Sequence, residues 1–223
     1  GGSIVELLGN LFERATIAGA NGNNTIVVSD PDNLIQVGGT GISVVPWVGN
    51  AALNNANNNS AFDENYLVAV PANNNAVISI ADTGTNGIDR LVLFGTTDQD
   101  RFTLSASGGT GSIVASGIAT TAISFTGLER VELDTREAND NVAVRSMGTA
   151  TTLNLGLGAD LVLVGSNASP ANTGSNTGGT VNAISALLTV SGEDDADRLM
   201  VDDSGDAGDN TGTLTSTQVA WLR

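Results

Sequence analysis

Aspartates recur at short intervals and are the residues of this sequence best suited to chemistry. They occupy the sixth position of a turn pattern that has Gly first, Gly or Asp fourth and a large apolar residue eighth. Copies begin at Gly84, Gly95 and Gly192, and residues 155–163 keep the fourth, sixth and eighth positions. Asp and Asn in such turns often cap backbone groups. Alternatively, the carboxylates bind Ca²⁺, a hard cation that takes about six to eight oxygen ligands.

The densest group of acids lies at residues 193–209, where seven Asp and one Glu accompany a single basic residue, Arg198. Carboxylates this close together repel one another unless they are solvated or bridged by cations. The Ca²⁺ interpretation therefore takes its ligands from this group and from the turn copies. The candidate ligands are Asp89, Asp98, Asp100, Asp160, Asp194, Asp195, Asp197, Asp202 and Asp203.

Arginine directly follows the sixth-position Asp in three copies, as Arg90, Arg101 and Arg198. A guanidinium beside stacked carboxylates could neutralise them through charge-assisted hydrogen bonds without any metal. The sequence thus leaves open whether the acids serve as turn formers, as Ca²⁺ ligands or as partners of arginine.

The composition excludes several classes of function. There are 24 acidic and 8 basic residues, a formal charge of -16, and the basic residues are all Arg because the sequence contains no Lys and no His. Without His or Cys there is no imidazole base, no thiolate nucleophile, no disulfide and no zinc site of the usual type. A strongly negative surface is repelled by nucleic acid and by anionic lipid, so we expect neither as a partner.

Short apolar stretches separated by Gly, Asn, Asp and Thr dominate the chain and predict strands. Examples are residues 91–94, 131–133, 142–144 and 161–164. One helix is predicted, at residues 4–13, where apolar side chains recur with helical spacing. The fold class is therefore expected to be all-β.

The spacing of the sixth-position acids suggests how the strands are arranged. The interval from Asp100 to Asp140 is twice the interval from Asp140 to Asp160, and the interval from Asp89 to Asp100 is close to half of it. A repeat of about 20 residues fits a flattened coil of two short strands and two turns, in which each coil packs on its neighbours. We therefore predict a parallel β-solenoid, similar to a β-helix or β-roll, with an antiparallel β-sandwich as the alternative.

Residues 1–223 are expected to form one module. Residues 1–13 are interpreted as an N-terminal cap, and residues 43–60 and 165–180 as two inserted surface loops, because both are rich in Asn, Ser and Gly without periodicity. No apolar run approaches the roughly 18 residues of a membrane helix, so we expect no membrane insertion.

The turn copies resemble degenerate repeats of the RTX (repeats-in-toxin) family, G-G-x-G-x-D-x-U-x. The segment 190–219 is also similar to repeats of large calcium-binding and adhesin-like proteins of bacterial surfaces. The resemblance covers about half of the chain, and the second Gly is kept only in the 155–163 copy. It implies a β-roll whose Asp residues bind Ca²⁺ between turns and whose eighth residue points into the core.

These observations predict a non-enzymatic structural or adhesive module of a secreted, extracellular cell-surface protein, stabilised by Ca²⁺. Expected partners are neighbouring copies, joined end to end through residues 1–13 and 213–223, and surface glycans. The alternative is a carbohydrate-active β-helix enzyme, a lyase or glycosidase, because paired carboxylates such as Asp98 with Asp100 or Asp202 with Asp203 suffice for glycoside hydrolysis. Aromatic residues, which usually line sugar clefts, make up only 4% of the chain.

Overall fold

A computed structural model describes residues 65–70, 75–82, 87–117, 119–172 and 174–208 in full, together with the backbone of the strands outside these ranges. The described residues contain strands and turns but no helix, so the predicted all-β class is confirmed. Accordingly, no helix in this part of the chain is long and apolar enough to cross a membrane.

Short strands follow one another along the described chain. In order, β1 to β20 are Ser3–Leu8, Arg14–Ala18, Asn24–Ser29, Ile35–Gln36, Ser43–Val44, Gly49–Asn55, Asn65–Ala69, Ala76–Asp82, Arg90–Phe94, Arg101–Ser107, Thr110–Ser116, Thr120–Thr126, Arg130–Asp134, Asn141–Val144, Ala150–Asn154, Leu161–Val164, Leu188–Ser191, Arg198–Val201, Thr211–Leu214 and Val219–Leu222.

Most of the strands belong to two large sheets. Sheet A has the order β1-β3-β7-β9-β13-β15-β17, and all of its pairings are parallel. Sheet B has the order β18-β16-β14-β10-β11-β12-β8-β6-β2, and it is parallel except where β11 pairs antiparallel with β10 and β12. Both sheets are open at their ends, and β4–β5 and β19–β20 form separate two-stranded pairs.

From β13 to β16 the chain alternates between sheet A and sheet B with a regular period. Arg130 pairs with Ala150 in sheet A, and Asn141 pairs with Leu161 in sheet B, so both sheets advance by the same interval that separates Asp140 from Asp160. Since side chains of a strand alternate between its two faces, every second residue of each strand points to the same side. The residues on the inner side form one continuous apolar core, in which Phe102, Leu133 and many others are fully buried.

A hairpin inserted into sheet B explains why the interval between Asp100 and Asp140 is doubled. After β10 the chain turns back through β11 and β12, which fill the space between β10 and β8, before it crosses to sheet A. The strands β10 and β14 are therefore far apart along the chain, although they are direct parallel neighbours in space.

The segment predicted as the loop 165–180 packs against the outer face of sheet B. Arg145 Nε donates to the carbonyl oxygen of Ala168 at 2.6 Å, and Asn141 Nδ2 donates to that of Pro170 at 3.0 Å. Ala168 also packs with Leu163 and other side chains of β14 and β16, which are consequently buried on both faces of the sheet. This insertion has a small core of its own.

Other expectations need correction near the ends of the chain. The predicted helix at 4–13 is wrong, because Ser3–Leu8 is the edge strand of sheet A; a short apolar segment does not distinguish helix from strand. The predicted loop at 43–60 contains β5 and β6, and β6 is a strand of sheet B. The predicted contact end at 213–223 includes β20 and part of β19, and contact with another copy stays a prediction.

Left-handed backbone occupies the second and fourth positions of the turns from sheet A to sheet B that end at Asp140, Asp160 and Asp197, but not of the turn that ends at Asp100. Gly156 and Gly158 fill these positions in one turn, with φ of 74° and 133°. In the preceding turn the same positions are Arg136 and Ala138, with φ of 81° and 78°. Left-handed conformation costs a residue with a Cβ atom roughly 1–2 kcal/mol. Gly156 and Gly158 thus stand where the backbone is left-handed, and in the preceding turn Arg136 and Ala138 adopt the same conformation under strain.

Replacing Ala138 by Gly should increase the free energy of unfolding by about 0.5–1 kcal/mol, because Gly adopts positive φ without strain but has more freedom in the unfolded chain. The matched change Gly158→Ala should lower it by roughly 2 kcal/mol or more, since a Cβ there would overlap the carbonyl oxygen of Ala138. Urea unfolding of both variants measures the two effects. Equal stability of the two variants would contradict the assigned turn conformation.

Candidate functional site

A column of four aspartates runs along the turns that lead from sheet A to sheet B. Each one directly precedes a strand of sheet B: Asp100 precedes β10, Asp140 precedes β14, Asp160 precedes β16 and Asp197 precedes β18. Because these strands are direct parallel neighbours, the four residues stack at the same level of the structure. We call this set the aspartate column.

Three of the four carboxylates of the column, those of Asp140, Asp160 and Asp197, accept a backbone N–H at the end of the preceding turn. The N–H of Asp100 donates to Asp140 Oδ1 at 2.6 Å, and the N–H of Asp140 donates to Asp160 Oδ1 at 2.6 Å. The N–H of Asp160 donates to Asp197 Oδ1 at 2.9 Å. Hydrogen bonds to a charged acceptor are shorter and stronger than neutral ones. The column therefore joins successive turns where ordinary strand pairing begins.

The residue at the first position of each turn controls the surroundings of Oδ2 of the aspartate that ends the turn. At Gly95 a Cβ would lie 2.8 Å from Asp100 Oδ2, which instead accepts the N–H of Thr96 at 2.6 Å. A Cβ at Gly192 would likewise overlap Asp197 Oδ2. The turns of the two central aspartates begin with Thr135 and Leu155, which are larger. The first glycine of the pattern thus makes room for the carboxylate of its own turn.

The two central carboxylates each have one oxygen without a hydrogen-bond partner among the described residues. Asp140 is 0% exposed and Asp160 is 2% exposed, and Oδ2 of both is buried and unpaired. An ionised carboxylate in such a place is costly, so burial favours the protonated form. The centre of the column is the least solvated part of the site.

Burial raises the pKa values of three carboxyls of the column. The pKa of Asp140 rises to about 8, mainly through burial, and the neighbouring carboxylates of Asp100 and Asp160 add to the rise. Burial also raises the pKa of Asp100 and of Asp160, and in both cases nearby carboxylates act in the same direction. In each case the backbone N–H that donates to the carboxylate opposes the rise in pKa.

Asp89 and Asp98, two of the predicted ligands, lie outside the column. Asp89 precedes β9 of sheet A, whereas Asp100 precedes β10 of sheet B. Since the chain crosses once between the sheets from one aspartate to the other, the two residues lie on opposite sides of the protein. Its N–H donates to Glu129 Oε2 at 2.8 Å. Asp98 is exposed at the fourth position of its turn, where its N–H donates to Thr96 Oγ1 at 3.1 Å.

Asp202 and Asp203 hold the insertion against the body of the protein. Asp202 Oδ2 accepts the N–H of Gly179 at 2.5 Å, and its Oδ1 accepts the hydroxyl of Ser204 at 2.6 Å. These bonds, that of Ser204 first, lower the pKa of Asp202. Asp203 Oδ1 accepts the N–H of Val181 at 3.0 Å. Both carboxylates thus act as backbone acceptors.

The remaining acids of the dense group are more exposed. Asp195 is exposed, and its Oδ2 accepts the N–H of Gly158 at 3.2 Å, which is a second bond between the same two turns. Asp194 is also exposed. Asp209, the last acid of the group, lies outside the described residues.

The arginines that follow the column aspartates point away from them. Arg101 and Arg198 are exposed on the outer side of sheet B, whereas the preceding Asp100 is buried. Arg90 lies 3.6 Å from Glu132, and this is the only salt bridge within the described ranges. Alternation of side chains along a strand separates each Asp from its neighbouring Arg. Arginine therefore does not neutralise the described part of the column.

The described residues do not fit a Ca²⁺ site well. No group of three or more acidic side chains in this part of the chain converges as metal ligands would. In the column, Oδ1 of three carboxylates already accepts a backbone N–H, which leaves two buried unpaired oxygens for an ion that takes about six to eight. Ca²⁺ binding stays a prediction from the sequence.

The structure brings three of the predicted ligands together in the column: Asp100, Asp160 and Asp197. The fourth member, Asp140, was not among the predicted ligands. Asp140 follows a turn without the first glycine, Thr135 to Asn139, so it matched the pattern weakly. The signal that identifies it is its regular interval from Asp160, which is doubled between Asp140 and Asp100. Spacing was more informative here than the glycines.

Comparison of the whole chain with protein-family models, with curated proteins and with solved structures finds no match. Function is therefore inferred from the residues and their geometry.

The raised pKa of Asp140 predicts a pH dependence with a definite sign. Between about pH 4 and about pH 8 the folded state holds a proton that the unfolded chain, with a pKa of 3.8, releases. This contribution to stability is complete at low pH and is lost as the pH rises through 8. Asp140→Asn keeps the Oδ1 acceptor but cannot titrate, so the variant should lose less stability than the wild type between about pH 5 and about pH 9.

Urea unfolding of the wild type and of Asp140→Asn at several pH values measures this difference. A wild-type slope in Asp140→Asn would mean that Asp140 titrates normally.

Proposed function

We propose that the chain is a flattened parallel β-solenoid that serves as a non-enzymatic structural and adhesive module. The observation that carries this proposal is the aspartate column, in which equivalent carboxylates of successive turns bind backbone N–H groups. The regular alternation between two sheets with in-register pairing supports it. Each layer then packs on its neighbours, as in other repeat proteins.

The use of the acidic side chains favours a structural role over hydrolysis. Asp100, Asp202 and Asp203 each accept backbone N–H groups, so each of the two acid pairs predicted for catalysis has a member engaged in holding the fold. A glycosidase needs two carboxyl groups that face a common substrate. The buried Asp100 and the exposed Asp98 do not share such an environment.

The outer face of sheet A supports an adhesive role. On β13 and β15 this face is polar, with Arg130 exposed and with Glu132 accepting a hydrogen bond from Asn154 Nδ2 at 3.2 Å. Arg130 stacks in register on Arg90, so two of the eight arginines of the chain lie side by side. Guanidinium and amide groups suit hydroxyl and carboxylate oxygens of glycans. We infer that surface glycans bind here.

The expected location is extracellular, at the cell surface. Low overall charge content and abundant Gly, Asn and Thr support it, as does the resemblance of the turns to repeats of bacterial surface proteins.

Affinity electrophoresis in gels containing neutral or acidic polysaccharides tests the adhesive and enzymatic alternatives together. We expect slower migration in at least one glycan and no new reducing ends or unsaturated sugars. Arg130→Ala should reduce the retardation, because it removes one of the two neighbouring guanidiniums of sheet A. Arg101→Ala, an equally exposed arginine on sheet B, should retain it. Catalytic turnover that is lost in Asp98→Asn would establish the enzyme instead.

Thermal unfolding with about 5 mM CaCl2, above the roughly millimolar affinity of extracellular Ca²⁺ modules, tests the cation. Since backbone N–H groups hold the column, we expect the fold to persist in EDTA, with a midpoint within about 2 °C of that in Ca²⁺. MgCl2 at the same concentration controls for ionic strength. A rise in midpoint specific to Ca²⁺ would show that the cation binds the folded state.

A further inference from the structure

Residues 166–172 and 174–180 form the two legs of a surface loop whose ends meet. The N–H of Ser166 donates to the carbonyl oxygen of Thr180 at 2.9 Å, and the N–H of Thr180 donates to Ser166 Oγ at 3.0 Å. Neither leg contains a strand. Surface loops with closed ends that pack through their own side chains are compact and frequently functional. We call the two legs the lid.

The lid covers apolar side chains on the outer face of sheet B. Thr103, Ala143 and Leu163 occupy equivalent outward positions on β10, β14 and β16. Thr103 is half-buried, whereas Ala143 and Leu163 are 0% exposed and pack with Ala168 of the lid. This small cluster is separate from the main core, which lies on the inner side of the same strands. Opening the lid therefore exposes an apolar surface without opening the main core.

Side-chain hydrogen bonds, rather than strand pairing, join the lid to the sheet beneath it. Asn176 of the second leg is 8% exposed, and its Nδ2 donates to the carbonyl oxygens of Val164 at 2.9 Å and of Met200 at 3.2 Å. Its Oδ1 is buried without a hydrogen-bond partner among the described residues. A buried polar atom without a partner is costly, so contact of Asn176 with water offsets part of the free energy of opening the lid.

The turn that follows β18 holds the second leg of the lid. Asp202 Oδ2 accepts the N–H of Gly179, and Ser204 Oγ accepts the N–H of Gly178 at 2.7 Å. The N–H of Gly205 donates to the carbonyl oxygen of Gly179 at 2.8 Å. A Cβ atom at Gly205 would lie 2.5 Å from the carbonyl oxygen of Gly178, so the turn approaches the lid closely because this residue is glycine. We call residues 202–205 the latch.

We propose that the lid opens as a unit when the latch releases it, and that opening uncovers the apolar surface formed by Ala143, Leu161 and Leu163. Each hydrogen bond that holds the lid contributes little net free energy, because water replaces it when the lid opens. Segments with few buried apolar contacts open at a lower free energy than the whole domain. The lid is thus a conformational device that controls access to an apolar face of sheet B. Its opening is independent of glycan binding on sheet A.

Native-state hydrogen exchange, followed by NMR at low urea concentrations, measures the free energy of opening. The amides of Gly179 in the lid and of Leu161 in β16 are both hydrogen-bonded, the latter to the carbonyl oxygen of Asp140 at 2.9 Å. We expect the protection factor of Gly179 to be at least tenfold lower than that of Leu161. It should also depend less on urea, because opening the lid exposes less surface than global unfolding.

Gly205→Ala should open the lid, because the added Cβ presses against the second leg. The protection factors of Gly179 and of Ala168, the buried residue of the first leg, should both fall at least tenfold. Fluorescence of ANS, a dye that binds exposed apolar surface, should rise, while the protection factor of Leu161 stays within about twofold of the wild type. Gly174→Ala is the matched control in the lid itself, because a Cβ there has nothing within 4 Å and should change neither readout.

Asp202→Ala is an independent variant that removes an acceptor of the latch without adding bulk. It should also lower the protection factor of Ala168 at least tenfold, although the N–H of Ala168 donates to the carbonyl oxygen of Gly165 and not to the latch. An effect on the far leg distinguishes opening of the whole lid from the loss of one hydrogen bond.

Two results would overturn the proposal. The first is a wild-type protein in which Gly179 and Leu161 have equal protection and equal urea dependence, because the lid would then open only with the whole domain. The second is loss of protection at Gly179 alone in both Gly205→Ala and Asp202→Ala, because the two legs would then not open as a unit.

Discussion

The interaction on which this structure depends is the hydrogen bond from a backbone N–H to the carboxylate of the next turn. It recurs three times, at Asp140, Asp160 and Asp197, always directly before a strand of sheet B. At this position the chain leaves a turn with left-handed residues and resumes parallel pairing. The carboxylate fixes where pairing begins, and a slip by one residue would reverse the side chains that face the core.

The same bond explains why an acidic protein can bury acids. A buried carboxylate is costly unless it is hydrogen-bonded or protonated. Asp140 accepts a backbone N–H, and burial raises its pKa to about 8. Asp202 and Asp203 apply the same chemistry to the insertion that covers sheet B. In the described ranges these acids accept backbone N–H groups, which is the use on which the proposed structural role rests.

The insertions change the surface while leaving the stacking intact. The hairpin β11–β12 widens sheet B by two strands, and the segment after β16 buries the outer face of β14 and β16. The polar outer face of β13 and β15 and the open edges at β17 and β18 remain accessible among the described residues.

The sequence by itself determined the all-β class, the short strands such as Val131 to Leu133, and the regular interval between the turn aspartates, because alternation and turn chemistry are local properties. Only the tertiary structure decided that Asp89 and Asp100 lie on opposite sides of the protein and that Asp140 completes the column. It also decided that β11 is antiparallel to β10 and β12. These facts depend on which strands become neighbours. Pairing between strands that are distant along the chain is set by packing of the whole core, and no local pattern encodes it.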